Sequence, residues 1–279
     1  MIDWGVEWGH ARERSPLTVT PETKEKWRAF WSKDANGYLE DVKAERALYE
    51  EVVQRLINEG WVLKDDSILD IGSGPGTFAI PFSRHVRSVT ALDDADGMLA
   101  ALRKECAAQG IRNIETLNCG WGEHTMEGQY DLAFAALSPA VRSSNDLMAM
   151  EKASRSRCCY ITACPSDWMG LRNELWEKVV GGFVSGDASS VRYPLNILLE
   201  SRRSPELFRV RAETETHNPV QAVVDHYVNY FGIFTEMTPQ KVEIVRDHIT
   251  SRSHDGTYTS RGTKCLYMLC WEKRMGTER

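Results

Sequence analysis

The densest chemistry in the chain lies in Asp70-Ile71-Gly72-Ser73-Gly74-Pro75-Gly76-Thr77. The apolar run Ser67 to Ile71 leads in, and a helical pattern opens at about Thr77, so the glycines form the turn between a strand and a helix. Glycine accepts positive φ and lets a ligand approach the backbone with no Cβ in the way. The N–H groups of such a turn, and of the helix start behind it, are expected to hold polar ligand atoms. A second strand, Ser88 to Leu92, ends at Asp93, with Asp94 adjacent. A carboxylate there can take hydrogen bonds from both hydroxyls of a ribose.

The spacing discriminates between nucleotide ligands. A dinucleotide loop reads G-x-G-x-x-G and offers its amides to a pyrophosphate. Here the order is G-x-G-x-G, and Asp70 puts a negative charge where a pyrophosphate is unwelcome. S-adenosylmethionine has no phosphate and brings an ammonium that a carboxylate can pair. It is the expected cofactor, and no metal ligand set is expected.

These residues need a scaffold. Strands are expected at Ser67–Ile71, Ser88–Leu92, Asn113–Leu117, Tyr130–Ala135 and Cys158–Ala163, with helices between them, notably Asp96–Gln109 and Ser144–Ser154. Alternating strands and helices imply a doubly wound, Rossmann-like α/β fold with a mostly parallel sheet. Upstream, helical spacing runs from Tyr38 to Ile57, and Gly60 stops it. Downstream are a helix at Asp167–Val180, a strand at Glu206–Arg211, an apolar stripe from Val220 to Phe231, a helix opening at Thr238-Pro239 and a strand at Lys264–Trp271. We expect one decorated domain of three parts: an N-terminal helical arm or lid (1–60), a ligand-binding core (61–165), and the rest of the core with a helical cap insertion (166–279).

With these residues in place, the stretch from Trp31 to Ala163 resembles the class I S-adenosylmethionine-dependent methyltransferases, whose sheet has seven strands. The resemblance implies that Asp70, Gly72, Ser73, Gly74, Gly76 and Thr77 hold the methionine part of the cofactor. It implies that Asp93, with Asp94, takes the ribose, and that Met98 packs on the adenine. Trp121 and Gly122, in Gly120-Trp121-Gly122-Glu123, take the place of the family's adenine-side residues, without its common aspartate. Trp121 is equally readable as core. Trp31 and Tyr38 match the aromatic entry segment that closes over the cofactor, or else simply pack helices. Leu137, in Leu137-Ser138-Pro139-Ala140, sits where the acceptor meets the methyl group. The Asn/Asp-Pro-Pro-aromatic signature of some amino-methylating relatives is absent, and the Ser-Pro-Ala form resembles a little-characterised bacterial or archaeal subgroup.

Methyl transfer from a sulfonium is an in-line displacement that depends mainly on alignment. A general base is needed only for an acceptor protonated at working pH. Candidates are His226, Tyr230 and Tyr38, with His10, His124 and Tyr227 behind them. His226 and Tyr230 share a helix face and are also readable as an ordinary boundary pair. The segment from Trp168 to Thr259 exceeds a minimal enzyme, and Tyr193-Pro194-Leu195-Asn196 with Tyr227–Phe234 suggests an apolar acceptor pocket or an oligomer interface.

Bulk properties narrow the class. A net charge of −6 over 279 residues disfavours nucleic acid as substrate and points to a small-molecule acceptor. No run approaches the roughly 18 apolar residues a membrane span needs. The polar, acidic start is unlike a signal peptide, so a cytoplasmic monomer or homodimer is expected. Seven cysteines, an odd number without C-x-x-C, argue against a disulfide framework or a structural zinc site, and Cys158, Cys159 and Cys164, in or beside an apolar run, read as free buried thiols. The alternatives are a non-catalytic cofactor-binding sensor or partner and, on weaker grounds, an NAD(P)-linked oxidoreductase.

Overall fold

A computed structural model describes residues 2–164, 170–184 and 187–274. Seven strands form one sheet: β1 (Ser67–Ile71), β2 (Ser88–Asp93), β3 (Ile114–Asn118), β4 (Tyr130–Ala136), β5 (Ser154–Ala163), β6 (Glu206–Pro219) and β7 (Thr257–Glu272). Their order is β3-β2-β1-β4-β5-β7-β6. The first five are parallel, and β7 runs antiparallel to both neighbours. The direction of winding reverses between β1 and β4, which creates the crevice where open α/β sheets take ligands.

Helices cover both faces. They are α1 (Trp4–Glu13), α2 (Lys24–Ala44), α3 (Arg46–Asn58), α4 (Ala79–Ser83), α5 (Asp96–Gln109), α6 (Ser144–Ala153), α7 (Gly170–Val179), α8 (Arg192–Glu200), α9 (Val220–Phe231) and α10 (Pro239–Thr250). Side chains alternate across a strand. Ile68 therefore packs with α3, α4 and α5, while Leu69 and Ile71 pack with α1, α6 and α8. Cover on both faces explains why every residue of β1 is buried and the strand reads as an unbroken apolar run around Asp70. A third core joins Phe30 of α2 to Leu175 and Trp176 of α7, Val224 and Phe231 of α9, and Val245 and Ile249 of α10.

Several elements depart from the sequence expectation. The expected helix at Tyr38–Ile57 is two helices, α2 and α3, that meet at Glu45, whose φ of −99° and ψ of 12° leave helical geometry. The buried Glu45 carboxylate accepts the Tyr49 hydroxyl and pairs with Lys264, contacts that local periodicity does not encode. Strands β6 and β7 are much longer than expected. Ala163, the last residue of β5, pairs with Leu266, so Thr257–Cys265 pair with β6 alone as a two-stranded ribbon. Its β6 half, Arg211–Pro219, is polar and largely exposed, which hid the strand from a search for apolar alternation. The ribbon carries α9 and α10. Thr238 caps α10 and Pro239 occupies its first turn, as expected. Asp167 and Trp168, where the sequence begins α7, lie outside the described residues.

The cysteine expectation needs correction. Cys164 and Cys265 form a disulfide, with Cα atoms 5.2 Å apart across 101 residues of chain. The partners meet through β5–β7 pairing, which no local spacing announces. Cys106, Cys119, Cys158, Cys159 and Cys270 are free, and all but Cys106 are buried. No helix among the described residues is long and apolar enough to cross a membrane.

Candidate functional site

The turn after β1 is held by the end of β2. Gly72 and Ser73 both donate their N–H groups to the Leu92 carbonyl, at 2.7 and 3.0 Å. Gly74 donates to Asp93 Oδ2 and Ala95 to Asp93 Oδ1, each at 2.9 Å. The expectation of free turn amides is therefore wrong: the β2 end consumes those of Gly72, Ser73 and Gly74. A pyrophosphate would find no amide there and two carboxylates beneath it, which disfavours the oxidoreductase reading more firmly than glycine spacing alone.

Asp70 is 2% exposed, and its Oδ2 has no hydrogen-bond partner. Burial, and secondarily the Asp93 charge, push its carboxyl up to about 8. Burial also raises Asp93, while the amides of Ala95 and Gly74 pull it back. The turn presses on the loop after β4: a Cβ on Gly72, whose φ is +70°, would lie 1.9 Å from Ser138 Oγ. In that loop Leu137 has a φ of 53°, a left-handed conformation that costs a residue with a side chain about 1–3 kcal/mol. The Leu137 N–H donates to the Ile161 carbonyl at 3.0 Å, so β5 holds the strained position.

A crevice of about 360 Å³ opens above these loops. Asp70, Gly72, Ser73, Gly74, Thr77, Asp93, Asp94, Met98, Trp121, Gly122, Leu137, Trp31 and Tyr38 all line it. Gly76 does not. A Cβ on it would lie 2.5 Å from Leu102 Cδ1, so it serves helix packing beside a second cavity of about 240 Å³. His226 and Tyr230 are also absent from the lining. His226 Nδ1 lies 3.1 Å from both oxygens of Asp34, and Tyr230 is buried in the helical core of α2, α7, α9 and α10. Tyr193 and Leu195 pack with α1 and α6, and Tyr227, Phe231 and Phe234 pack in the helical core, so neither stretch lines the crevice.

The crevice lining extends beyond the expected residues to Lys24, Trp27, Arg28 and Arg142. Lys24, Trp27, Arg28, Trp31 and Tyr38 fall on one face of α2, a signal readable only once the helix is known to start at Lys24. Five buried side-chain polar atoms among the described residues lack a partner: Trp27 Nε1, Arg28 Nε, Asp70 Oδ2, Ser73 Oγ and Trp121 Nε1. Every one belongs to a residue lining this crevice. Buried polar groups are normally satisfied, so this clustering marks a ligand site.

Comparison with known proteins agrees with this geometry. Residues 68–156 match the sequence family described as "methyltransferase domain". The chain superposes on the YcgJ protein of Bacillus subtilis with a TM-score of 0.51 and 13% identity, over 80% of this chain and 98% of that one. It superposes on a candidate S-adenosyl-L-methionine-dependent methyltransferase from Methanococcus maripaludis with a TM-score of 0.51 and 20% identity, over 64% and 88%. Residues 68–156 thus carry the sequence pattern of a methyltransferase domain, on a fold shared with these structures. An uncharacterised protein of Haemophilus influenzae is 28% identical over 134 residues, 48% of this chain and about half (49%) of that protein's length.

Over this core, α2 spans the crevice. Lys24 meets Glu123 at 3.3 Å, in the loop after β3, and Arg28 lies 4.0 Å from Asp94, after β2. Ser32 of α2 lies so close to α5 that a Cβ on Gly97 would sit 2.1 Å from its carbonyl oxygen. Trp27 stacks on Trp31 at 6.3 Å, and Trp31 meets Tyr38 edge-on at 5.8 Å. Trp31 and Trp121 line the crevice and also pack on neighbouring cores. Desolvation pushes the Tyr38 phenol up to about 12 against a hydrogen bond from Thr77, which makes it a neutral group at physiological pH.

Proposed function

We propose that the protein transfers a methyl group from S-adenosylmethionine to a small-molecule acceptor by in-line displacement. The observation that carries this is Asp70: a buried carboxylate with one unpartnered oxygen, in a turn whose amides are already used. That arrangement suits an ammonium, which favours the ionised carboxylate, and offers a phosphate no turn amide. Asp93 keeps free lone pairs on both oxygens after accepting Gly74 and Ala95, as a ribose diol requires. The unpartnered donors of Trp27, Arg28 and Trp121 suit a ligand rich in acceptor atoms.

When bound, S-adenosylmethionine supplies a methyl group already activated by its sulfonium. The chain's own contribution is position and exclusion of water. The face of α2 covers the crevice, the aromatic rings of Trp27, Trp31 and Tyr38 wall it, and the tight Gly72–Ser138 contact fixes the loop beside which the acceptor enters. Tyr38, as a neutral phenol, can orient an acceptor but is a weak base. A net charge of −6 favours a small molecule over nucleic acid.

The test is incubation of the purified protein with methyl-labelled S-adenosylmethionine and fractionated cell extract. A labelled small molecule that appears with wild type and not with Asp93→Ala supports the proposal. Tight cofactor binding without transfer to any fraction would instead favour a non-catalytic binding protein.

A further inference from the structure

The crevice is unevenly charged. The half beside β1, β2 and β3 holds the carboxylates of Asp93, Asp94 and Glu123 next to the buried carboxyl of Asp70, partly offset by Lys24 and Arg28. The half under the loop after β4 has one charged side chain in its lining, Arg142. Among the described residues its guanidinium has no carboxylate within ion-pair distance, and its single hydrogen bond goes to the Val19 carbonyl at 3.4 Å. The acid on its own stretch of chain, Asp146, is already engaged: its Oδ2 accepts from the Arg142 backbone N–H at 3.0 Å and from Ser143 Oγ at 2.7 Å.

A second guanidinium stands close by. Arg12 of α1 is half-buried and makes no side-chain hydrogen bond or ion pair among the described residues. Burial lowers its pKa, the Arg142 charge lowers it further, and Tyr160 and Asp146 act in the opposite sense. Two like charges next to a desolvated wall repel, and a planar or tetrahedral anion held between guanidinium groups relieves that repulsion with charge-assisted hydrogen bonds.

We propose that Arg142, with Arg12 behind it outside the crevice lining, forms an anion subsite at the acceptor end of the crevice, which takes a carboxylate or phosphate carried by the methyl acceptor. This rests on the methyltransferase reading and narrows its substrate to small anionic molecules. Anchored there, an acceptor lies beside Leu137-Ser138-Pro139-Ala140, across the crevice from Asp93 and Trp121.

The experiment uses full-length protein saturated with S-adenosylhomocysteine, titrated with malonate or inorganic phosphate against a chloride control of equal ionic strength. We expect a rise in melting temperature with one or both anions. Arg142→Gln and Arg12→Gln should each lower the apparent anion affinity about tenfold, Arg142→Lys should retain part of it, and S-adenosylhomocysteine affinity should stay within twofold. A stronger response to malonate assigns a carboxylate, and a stronger response to phosphate assigns a phosphoryl group. No anion response in wild type, or equal responses in wild type and both Gln variants, overturns the subsite. A tenfold loss of S-adenosylhomocysteine affinity in Arg142→Gln also overturns it, because the guanidinium then serves the cofactor's own carboxylate. Repeating the titration without S-adenosylhomocysteine separates the two ideas: a protein that binds anions but no S-adenosylhomocysteine defeats the cofactor reading and leaves the subsite standing.

Discussion

Asp70 combines two properties that are costly together, burial and a missing hydrogen-bond partner. Both are relieved by a cationic ligand. In the free protein its carboxyl, raised to about 8, is largely protonated at neutral pH. A bound ammonium favours the ionised form, so binding below pH 8 should release a proton, and cofactor affinity should climb with pH and level off above 8. Calorimetry in buffers of different ionisation enthalpy reads this directly, and identical heats in all buffers would refute it. Asp70→Asn should weaken cofactor binding about 10- to 100-fold, the worth of one charge-assisted hydrogen bond at about 1.5–3 kcal/mol. The sign for stability is opposite. The folded state holds this proton more tightly than the unfolded chain, so ionisation above the unfolded pKa progressively destabilises the free protein as pH rises toward 8. Asp70→Asn should therefore flatten part of the decline in urea midpoint between pH 5 and 8.5. Asp93 behaves differently because two backbone amides depend on it. Asp93→Ala should lose cofactor binding about 100-fold or more and also cost about 1–3 kcal/mol of stability, since the Gly74 and Ala95 N–H groups lose their acceptor. Paired calorimetric titration and urea melts distinguish this double loss from the single loss at Asp70.

Among the elements, α2 decides whether the crevice is closed. Its seat on α5 depends on Gly97, where a methyl group would meet the Ser32 backbone rather than a movable side chain. Gly97→Ala should displace α2, cost about 1–3 kcal/mol as overpacking does, and lower cofactor affinity about tenfold. Gly9→Ala, in the exposed part of α1 with nothing within 4 Å, is the control and should change neither quantity for the worse. The union of α7 with α10 has its own dependence on pH. His248 Nδ1 is approached by Lys178 Nζ at 2.8 Å and by Arg252 at 3.1 Å, and Nε2 lies 3.0 Å from Glu174. Two cationic donors on Nδ1 require the neutral ring, with Nε2–H donating to Glu174. Desolvation, then the Arg252 and Lys178 charges, lower its pKa against the pull of Glu174. The unfolded chain thus takes up a proton that the folded ring refuses, and stability is lost as pH falls below about 6.5. Urea midpoints at pH 7.5 and 5.5 should show this loss in wild type and less of it in His248→Gln. Boundaries at this scale were legible from residue pattern in α5 and α9 and from the Thr238-Pro239 cap in α10. They were not legible at Glu45, where a tertiary contact breaks a helix, or along the outer half of β6, where a two-stranded ribbon has no apolar face to announce it.

At the scale of the whole molecule, three cores meet around one crevice, and the β6–β7 ribbon joins the sheet to the cap helices. The Cys164–Cys265 bridge sits at the foot of that ribbon and closes a loop of 101 residues. Chain entropy alone assigns such a loop a stabilisation on the order of 4–5 kcal/mol when oxidised. Cys265→Ser should melt well below wild type without reductant and match it in dithiothreitol; equal melting in both conditions would mean the thiols do not bridge. Most of the crevice could be named in advance because its acids and glycines sit within a few residues of strand ends, and spacing along the chain there equals proximity in space. Asp70, Asp93, the glycine turn and the alternation of strands with helices were determined by sequence alone, since each follows from local backbone requirements and burial period. Tertiary structure alone decided that the turn amides are spent on β2, that Gly76 faces away, that His226 and Tyr230 stand outside the site, and that Lys24, Trp27, Arg28 and Arg142 gather around it. Those facts depend on contacts between residues far apart in the chain, which become neighbours only when the sheet and its covering helices pack.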